Sequence, residues 1–202
     1  DYLVGDFSQA LEDCHEGARR VRDIVMNLKT FARGDDSELQ RADIIEGIES
    51  TARLLGQYFR PDRVALHRDY ERLPAVECFP TQLAQVWMNL MVNAAQAMES
   101  KGDLWITARS DEGRVMISFR DNGPGIPQEA LSRIFDPFFT TKPVGEGTGL
   151  GLSIVHGIIE RHGGEIKVES ELGVGTVFTV SLPAAEKIAP IETDREPVAA
   201  LT

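Results

Sequence analysis

The 202-residue chain predicts an α/β two-layer sandwich, a mixed sheet with helices on one face. Three observations carry that expectation. The elements run helix, strands, helix, hairpin, loop, helix, hairpin between about residues 43 and 183. The segment Thr81 to Ser100 is apolar over most of a helical circumference, as a largely buried helix must be. A glycine-rich stretch, Asp121 to Leu152, joins a strand to an apolar-periodic run that opens at Leu150.

The first element is a helix from about Phe7 to Arg33. Phe7, Leu11, Cys14, Ala18, Val21, Val25, Leu28 and Ala32 alternate spacings of four and three, with Ile24 and Phe31 widening the seam. Such a seam packs on a partner helix, a second subunit, or the body of its own domain. Gly34-Asp-Asp-Ser-Glu38 ends this helix, and residues 35–42 read as a hinge. Asp43 and Glu46 stand at capping-box spacing and open a helix with Ile44, Ile48, Ala52 and Leu55 on one face. Arg63 to Tyr70 alternates like a strand, and Ala75 to Phe79 is a weaker candidate.

Pro80 suits the first turn of the Thr81–Ser100 helix. Leu83, Val86, Trp87, Leu90, Met91, Ala94 and Met98 make it apolar, yet Gln85, Asn89 and Asn93 fall four apart. Buried amides require partners, so this stripe lines a polar cavity or joins a structural network. A hairpin follows, Leu104/Ile106/Ala108 against Val115/Ile117/Phe119 across Asp111-Glu-Gly113, and it delivers Asp121 at its end. After the glycine stretch and its helix, Gly163-Gly164 stops the chain. Ile166/Val168 and Phe178/Val180/Leu182 form the last hairpin across Leu172-Gly-Val-Gly. Residues 184–202 show no periodicity and read as a disordered tail.

Composition narrows the function. Lys+Arg 21 against Asp+Glu 32 gives net −11, the wrong sign for a general nucleic-acid binder. Cys14 and Cys78 have no partner spacing, which argues against a disulfide framework or zinc site and for a reducing, cytoplasmic setting. No run of about eighteen apolar residues occurs, so no membrane contact is expected of this fragment. The opening Asp-Tyr-Leu-Val reads as the middle of a longer protein.

The glycine stretch holds D-N-G-P-G-I (121–126), F-D-P-F-F-T-T-K (135–142) and G-E-G-T-G-L-G-L (145–152). Glycines admit close backbone approach, and the helix that follows offers unpaired N–H groups to an anion. Gly145, Gly147, Gly149 and Gly151 alternate, so G-x-G-x-x-G is not met, and no G-x-x-x-x-G-K-[ST] exists. The stretch is either a nucleotide phosphate site of an uncommon type or a flexible loop without a ligand.

Four motifs in order decide between them. Gln85–Ala97, Asp121–Ile126, Ile134–Lys142 and Gly145–Ser153 resemble the N, G1, F and G2 boxes of the GHKL ATPases, most closely those of sensor histidine kinases. Gly175-Thr176 resembles the family's closing threonine-bearing hairpin, and the likeness spans about Asp43 to Leu182. The resemblance implies a Bergerat-type fold over residues 43–183 that binds ATP and Mg²⁺. Asp121 then accepts from the adenine amine, with Gly123, Gly125 and Ile126 shaping the turn around the base. Asn93 ligates Mg²⁺, and Asn89 bonds phosphate or metal-bound water. Lys142 meets the terminal phosphates, Thr148, Gly149, Leu150, Gly151 and Leu152 present amides, and Thr176 serves the adenine side. Thr140 to Gly149 is the implied lid.

The resemblance also implies a direction. Where the hydrolase branches carry a water-activating Glu, this chain has Asn89, which cannot act as a base. Residues 1–34 resemble the second helix of a dimerisation and phosphotransfer hairpin, which pairs into a homodimeric four-helix bundle. The only H-E pair, His15-Glu16, lacks the Asn-Pro of the acceptor motif. The phosphoacceptor histidine is therefore expected upstream of this chain, with a response regulator receiver domain as the next acceptor. Glu12, Asp13, Glu16 and Arg19 are candidates for choosing that regulator. Two other readings keep the same ATP site: a GHKL protein-serine kinase of the anti-sigma type, and a non-catalytic nucleotide-binding dimerisation module.

Overall fold

Strand β1, Gln40–Ala42, runs straight into Asp43, whose Oδ1 accepts from the amides of Ile45 at 2.8 Å and Glu46 at 3.4 Å. That cap satisfies two of the donors a helix start leaves open, and helix α1, Ile44–Leu54, follows. The computed structural model describes residues 38–60, 62–99, 101–142 and 147–185. The heptad segment, His15, the first three residues of the hinge (35–37) and the tail beyond Ala185 lie outside the described residues. Residues 40–42, read as hinge, instead pair antiparallel with β3, Val76–Cys78. Three residues of Gln-Arg-Ala carry no alternation that could announce a strand.

The expected α1 face is buried, with Ile44, Ile48, Ala52 and Leu55 all in the core. Its outer edge is fastened to β2, Val64–Tyr70, by Glu49, which accepts from Arg68 Nε at 2.8 Å and Tyr70 Oη at 2.9 Å. Helix α2, Pro80–Ala97, lies between α1 and α4, Gly151–Arg161, which the short α3, Gln128–Leu131, precedes in the chain. Its seven predicted apolar positions are all buried, Val86 and Met91 completely.

The main sheet has the order β2-β4-β5-β7-β6, where β4 is Gly102–Asp111, β5 Arg114–Asp121, β6 Glu165–Glu171 and β7 Gly175–Pro183. Only β2 and β4 run parallel; the other neighbours are antiparallel. The β4–β5 hairpin turns on Glu112 and Gly113, both with positive φ, as a two-residue turn matched to strand twist requires. Register then stacks one apolar row across strands: Ile106 faces Phe119, which faces Phe178, while Ala108, Ile117 and Val180 form the next row. Trp87 of α2 lies on Phe119 with ring centroids 5.7 Å apart, so helices and sheet share one core.

His162 ties two helix ends together. Its Nδ1 donates to Ile158 O at 2.7 Å, and its Nε2 accepts from the amide of Phe79, the residue preceding α2, at 3.0 Å. Gly163 and Gly164 then close α4 with amides to Glu160 O and Ile159 O, both at 2.9 Å. The sequence expectation that this glycine pair stops the helix holds.

Candidate nucleotide site

The candidate site begins where β5 ends. Asp121 is 5 % exposed, and its Oδ1 accepts from the amides of Gly123 at 2.9 Å and Thr176 at 3.3 Å. Neither bond uses Oδ2. Burial pushes the carboxyl above the usual carboxylate range, and the two amide bonds pull it back only in part. The arrangement is a buried acceptor with no hydrogen-bond partner on Oδ2 among the described residues, suited to a ligand's N–H donor.

The turn beyond Asp121 is packed without spare room. Gly125 has φ 75°, and a Cβ there would sit 2.2 Å from Glu171 O. A Cβ on Gly123 would lie 3.0 Å from Asp121 Oδ1 and 3.4 Å from Met98 Cγ, so the end of α2 is the floor beneath the turn. Ile126 donates its amide to Ser170 Oγ at 2.8 Å, and Ser170 lies 2.9 Å from both Gly175 O and the Thr176 hydroxyl. Thr176 thus offers its amide to Asp121 and its hydroxyl to Ser170. The site roles of Ser170, Met98 and Asn122 escaped the sequence reading; only a hydroxyl following Ile166 and Val168 on their face of the strand hinted at the first.

The other end of the candidate site, further back along α2, is the start of α4. No side chain caps it through Leu150, and no acidic residue stands in its first turn. Its first amides, at Gly151, Leu152 and Ser153, precede the first repeating bond, which Ile154 makes to Leu150 O at 3.0 Å. Thr148 Oγ1 accepts from the Leu150 amide at 3.3 Å. The polar stripe of α2 faces this helix start: a Cβ on Gly151 would lie 3.3 Å from Asn89 Oδ1 and 4.0 Å from Asn93 Nδ2. Gln85 Oε1 and Asn89 Nδ2 are buried with no hydrogen-bond partner among the described residues. Asn89 presents Oδ1 to the positive helix end, and a half-turn of its side-chain amide brings the unpaired Nδ2 to an anionic ligand there.

Lys142 stands at the mouth and donates through Nζ to Gln96 Oε1, one turn beyond Asn93 on α2. Residues 143–146 are outside the described residues, so of the expected lid only Thr140–Lys142 and Gly147–Gly149 can be placed. Those two ends meet: Phe138 donates its amide to Gly149 O at 2.9 Å. Among the described residues no group of three or more His, Cys, Asp or Glu could cage a metal. Asn93 is a single neutral oxygen donor, the sort of ligand set that suits Mg²⁺ when phosphates supply the rest. The orphaned amide of Asn89 and the uncapped helix start fit the phosphates of such a complex.

Comparisons with known proteins agree with this geometry. Residues 79–186 match the family described as histidine kinase-, DNA gyrase B- and HSP90-like ATPase. The chain is 33% identical over 186 residues to sporulation kinase E of Bacillus subtilis, covering 91% of this chain and 25% of that protein. It is 37% identical over 180 residues to the sensor histidine kinase ZraS of Escherichia coli K12, covering 89% and 38%. It therefore spans between a quarter and two-fifths of the length of these relatives. The solved catalytic domain of histidine kinase ThkA superposes with a TM-score of 0.66 at 36% identity, covering 72% of this chain and 95% of that one. ThkA in complex with the response regulator protein TrrA gives 0.70 at 30% identity, covering 84% and 48%.

Proposed function

Because the chain belongs to the family of histidine kinase-, DNA gyrase B- and HSP90-like ATPases, we propose that it is the ATP-binding kinase domain of a sensor histidine kinase. The observation that carries the proposal is the pairing of two unlike ends along one helix, α2. A buried carboxylate with a spare oxygen sits at one, and an uncapped helix start facing an orphaned amide sits at the other. That combination suits an adenine amine at the first and a polyphosphate at the second.

In this reading Asp121 Oδ2 accepts from the exocyclic amine, and Gly123, Gly125, Ile126 and Thr176 shape and hold that end. Asn89 donates to phosphate, Thr148 and the amides of Gly149–Leu152 surround it, and Lys142 leaves Gln96 to meet the terminal phosphate. Asn93 holds Mg²⁺, which supplies charge neutralisation on the phosphate oxygens. Asn89 has no basic oxygen with which to activate water, so the γ-phosphoryl goes to a delivered nucleophile. That nucleophile is a histidine upstream of this chain, within a homodimeric bundle, and a response regulator receiver domain then takes the phosphoryl group. ThkA, whose complex with TrrA is solved, supports the last partner by likeness. A cytoplasmic setting follows from the use of ATP; among the described residues no helix is long and apolar enough to cross a membrane.

Calorimetric titration with Mg·ADP tests the site. The wild type binds and Asp121→Asn binds at least about tenfold more weakly, because the amide cannot match a carboxylate acceptor. Absence of wild-type binding would end the nucleotide reading. Labelling of this 202-residue chain by γ-labelled ATP that disappears in His15→Ala would overturn the upstream acceptor.

A further inference from the structure

We propose that Asp103, acting through Asn122, is a positioning residue for base recognition; the proposal rests on the nucleotide reading above. In the β4–β5 ladder the last backbone pair is Leu104 with Asp121. One step further the pairing changes character. The Asp103 amide donates to Asn122 Oδ1 at 2.9 Å, and Asn122 Nδ2 donates back to Asp103 Oδ2 at 3.2 Å.

A side chain thus takes the place of main chain at that rung. The backbone of Asn122 is released from the sheet direction and can bend, so the Gly123 amide reaches Asp121 Oδ1 at 2.9 Å. A continued backbone ladder would carry Gly123 onward along the strand and away from the carboxylate. The space for Asn122 is made at Gly102, where a Cβ would lie 2.6 Å from Asn122 Oδ1 and 2.6 Å from Met98 Sδ.

Asp103 is itself oriented from the open face of the sheet. Its Oδ1 lies 2.7 Å from His67 Nε2, and the His67 ring stacks on Trp105 with centroids 5.1 Å apart at 15°. The Arg120 guanidinium stands 5.4 Å from the same indole. Asp103 therefore has both carboxylate oxygens assigned, one to His67 and one to Asn122. This connected set ends on the residue between the base reader and its glycine.

The test compares Mg·ADP with Mg·IDP, whose hypoxanthine has a carbonyl where adenine has the exocyclic amine. The wild-type chain prefers ADP, because a carboxylate cannot accept from a carbonyl. Asn122→Asp sets two carboxylates against each other, and the ADP preference is expected to fall roughly tenfold with IDP binding changed by less than about twofold. Adding Asp103→Asn to that variant restores a donor–acceptor pair with the roles exchanged, and the preference is expected to return to within about threefold of wild type. A purely structural role would lower thermal stability and both affinities together, leaving the ratio intact. Should Asn122→Asp unfold, Asp103→Ala replaces it, since it frees Asn122 Nδ2 while keeping the Asp103 backbone donor. An unchanged ADP:IDP ratio there overturns the proposal. An unchanged ADP:IDP ratio in folded Asn122→Asp, or a folded double variant without the preference, overturns the proposal. A wild type that binds neither nucleotide defeats the nucleotide reading itself.

Discussion

The amide of Phe138 donates to Gly149 O at 2.9 Å, and a Cβ on Gly149 would sit 2.4 Å from the Phe138 carbonyl carbon. Both residues have positive φ, 67° and 65°. Two left-handed residues face each other across the base of the 140–149 loop, and only one of them is a glycine. The contact fixes where that loop leaves and rejoins the domain, while Phe138 remains 75% exposed.

Gly149→Ala is therefore expected to cost more than a left-handed alanine alone. The backbone term is about 1–2 kcal/mol, and the overlap with Phe138 backbone cannot be relieved by a side-chain rotation. Gly113→Ala is the matched control, because Gly113 has φ 78° but nothing within 4 Å of the added carbon. Mg·ADP affinity should fall at least about tenfold in the first variant and stay near wild type in the second. Equal losses in both would mean that strain, not the Phe138 contact, matters.

Acid acts in opposite directions on stability and binding through Asp121. Its folded-state value is raised by burial, so between the ordinary carboxylate range and that raised value the folded protein holds a proton the unfolded chain has released. The stabilising contribution is complete below the ordinary value and is lost as pH rises through the folded one. Unfolding free energy, measured as wild type minus Asp121→Asn, should decline with pH across this window, from about pH 4 upward. Mg·ADP affinity should rise over the same window, because only the carboxylate accepts from the amine. A wild type whose stability difference from the variant is flat with pH would contradict both.

His162→Ala should destabilise the domain by about 1–3 kcal/mol, since it leaves the Phe79 amide without the acceptor now 3.0 Å away. Differential scanning calorimetry reads the change as a lowered Tm. The Asp121 end of the candidate site is not part of this contact, so Mg·ADP affinity at temperatures below the transition should change little. A large affinity loss without a Tm change would assign His162 a role in the site.

What the chain discloses before folding is whatever its local periods encode. The α2 face, the β4–β5 hairpin, the Asp43 cap and the Gly163-Gly164 stop all rest on spacings within one element, and each appears where the spacing puts it. Strand β1 was lost because three residues cannot display a period, and its partner Cys78 lies 38 positions from Gln40. The site roles of Ser170, Met98, Gln96 and Asp103 were not legible for a related reason. Their roles exist only as contacts between segments, such as Ile126 with Ser170 or Lys142 with Gln96, and no local pattern records them. The four boxes were legible because each concentrates special residues in a short run. The clamps that hold those boxes in register are ordinary residues at a distance.

Asn89 offers the sharpest separation of function from stability. Its Nδ2 is buried without a partner among the described residues, a state that costs about 1–3 kcal/mol when nothing compensates. Leucine has the same branched heavy-atom skeleton, with bulkier methyl ends, and no polar atoms to strand. Asn89→Leu should therefore leave the nucleotide-free protein as stable as wild type, or more stable by up to about 1 kcal/mol. The same change removes a donor from the helix start and closes it with methyl groups, so Mg·ADP affinity should drop at least about tenfold. Thermal unfolding and titration of one preparation check both halves. A destabilised variant would show that the amide serves the fold, and a stable variant with unchanged affinity would show that the phosphates lie elsewhere. A stable variant that no longer binds means the chain keeps an unsatisfied amide in its core because the partner is a ligand.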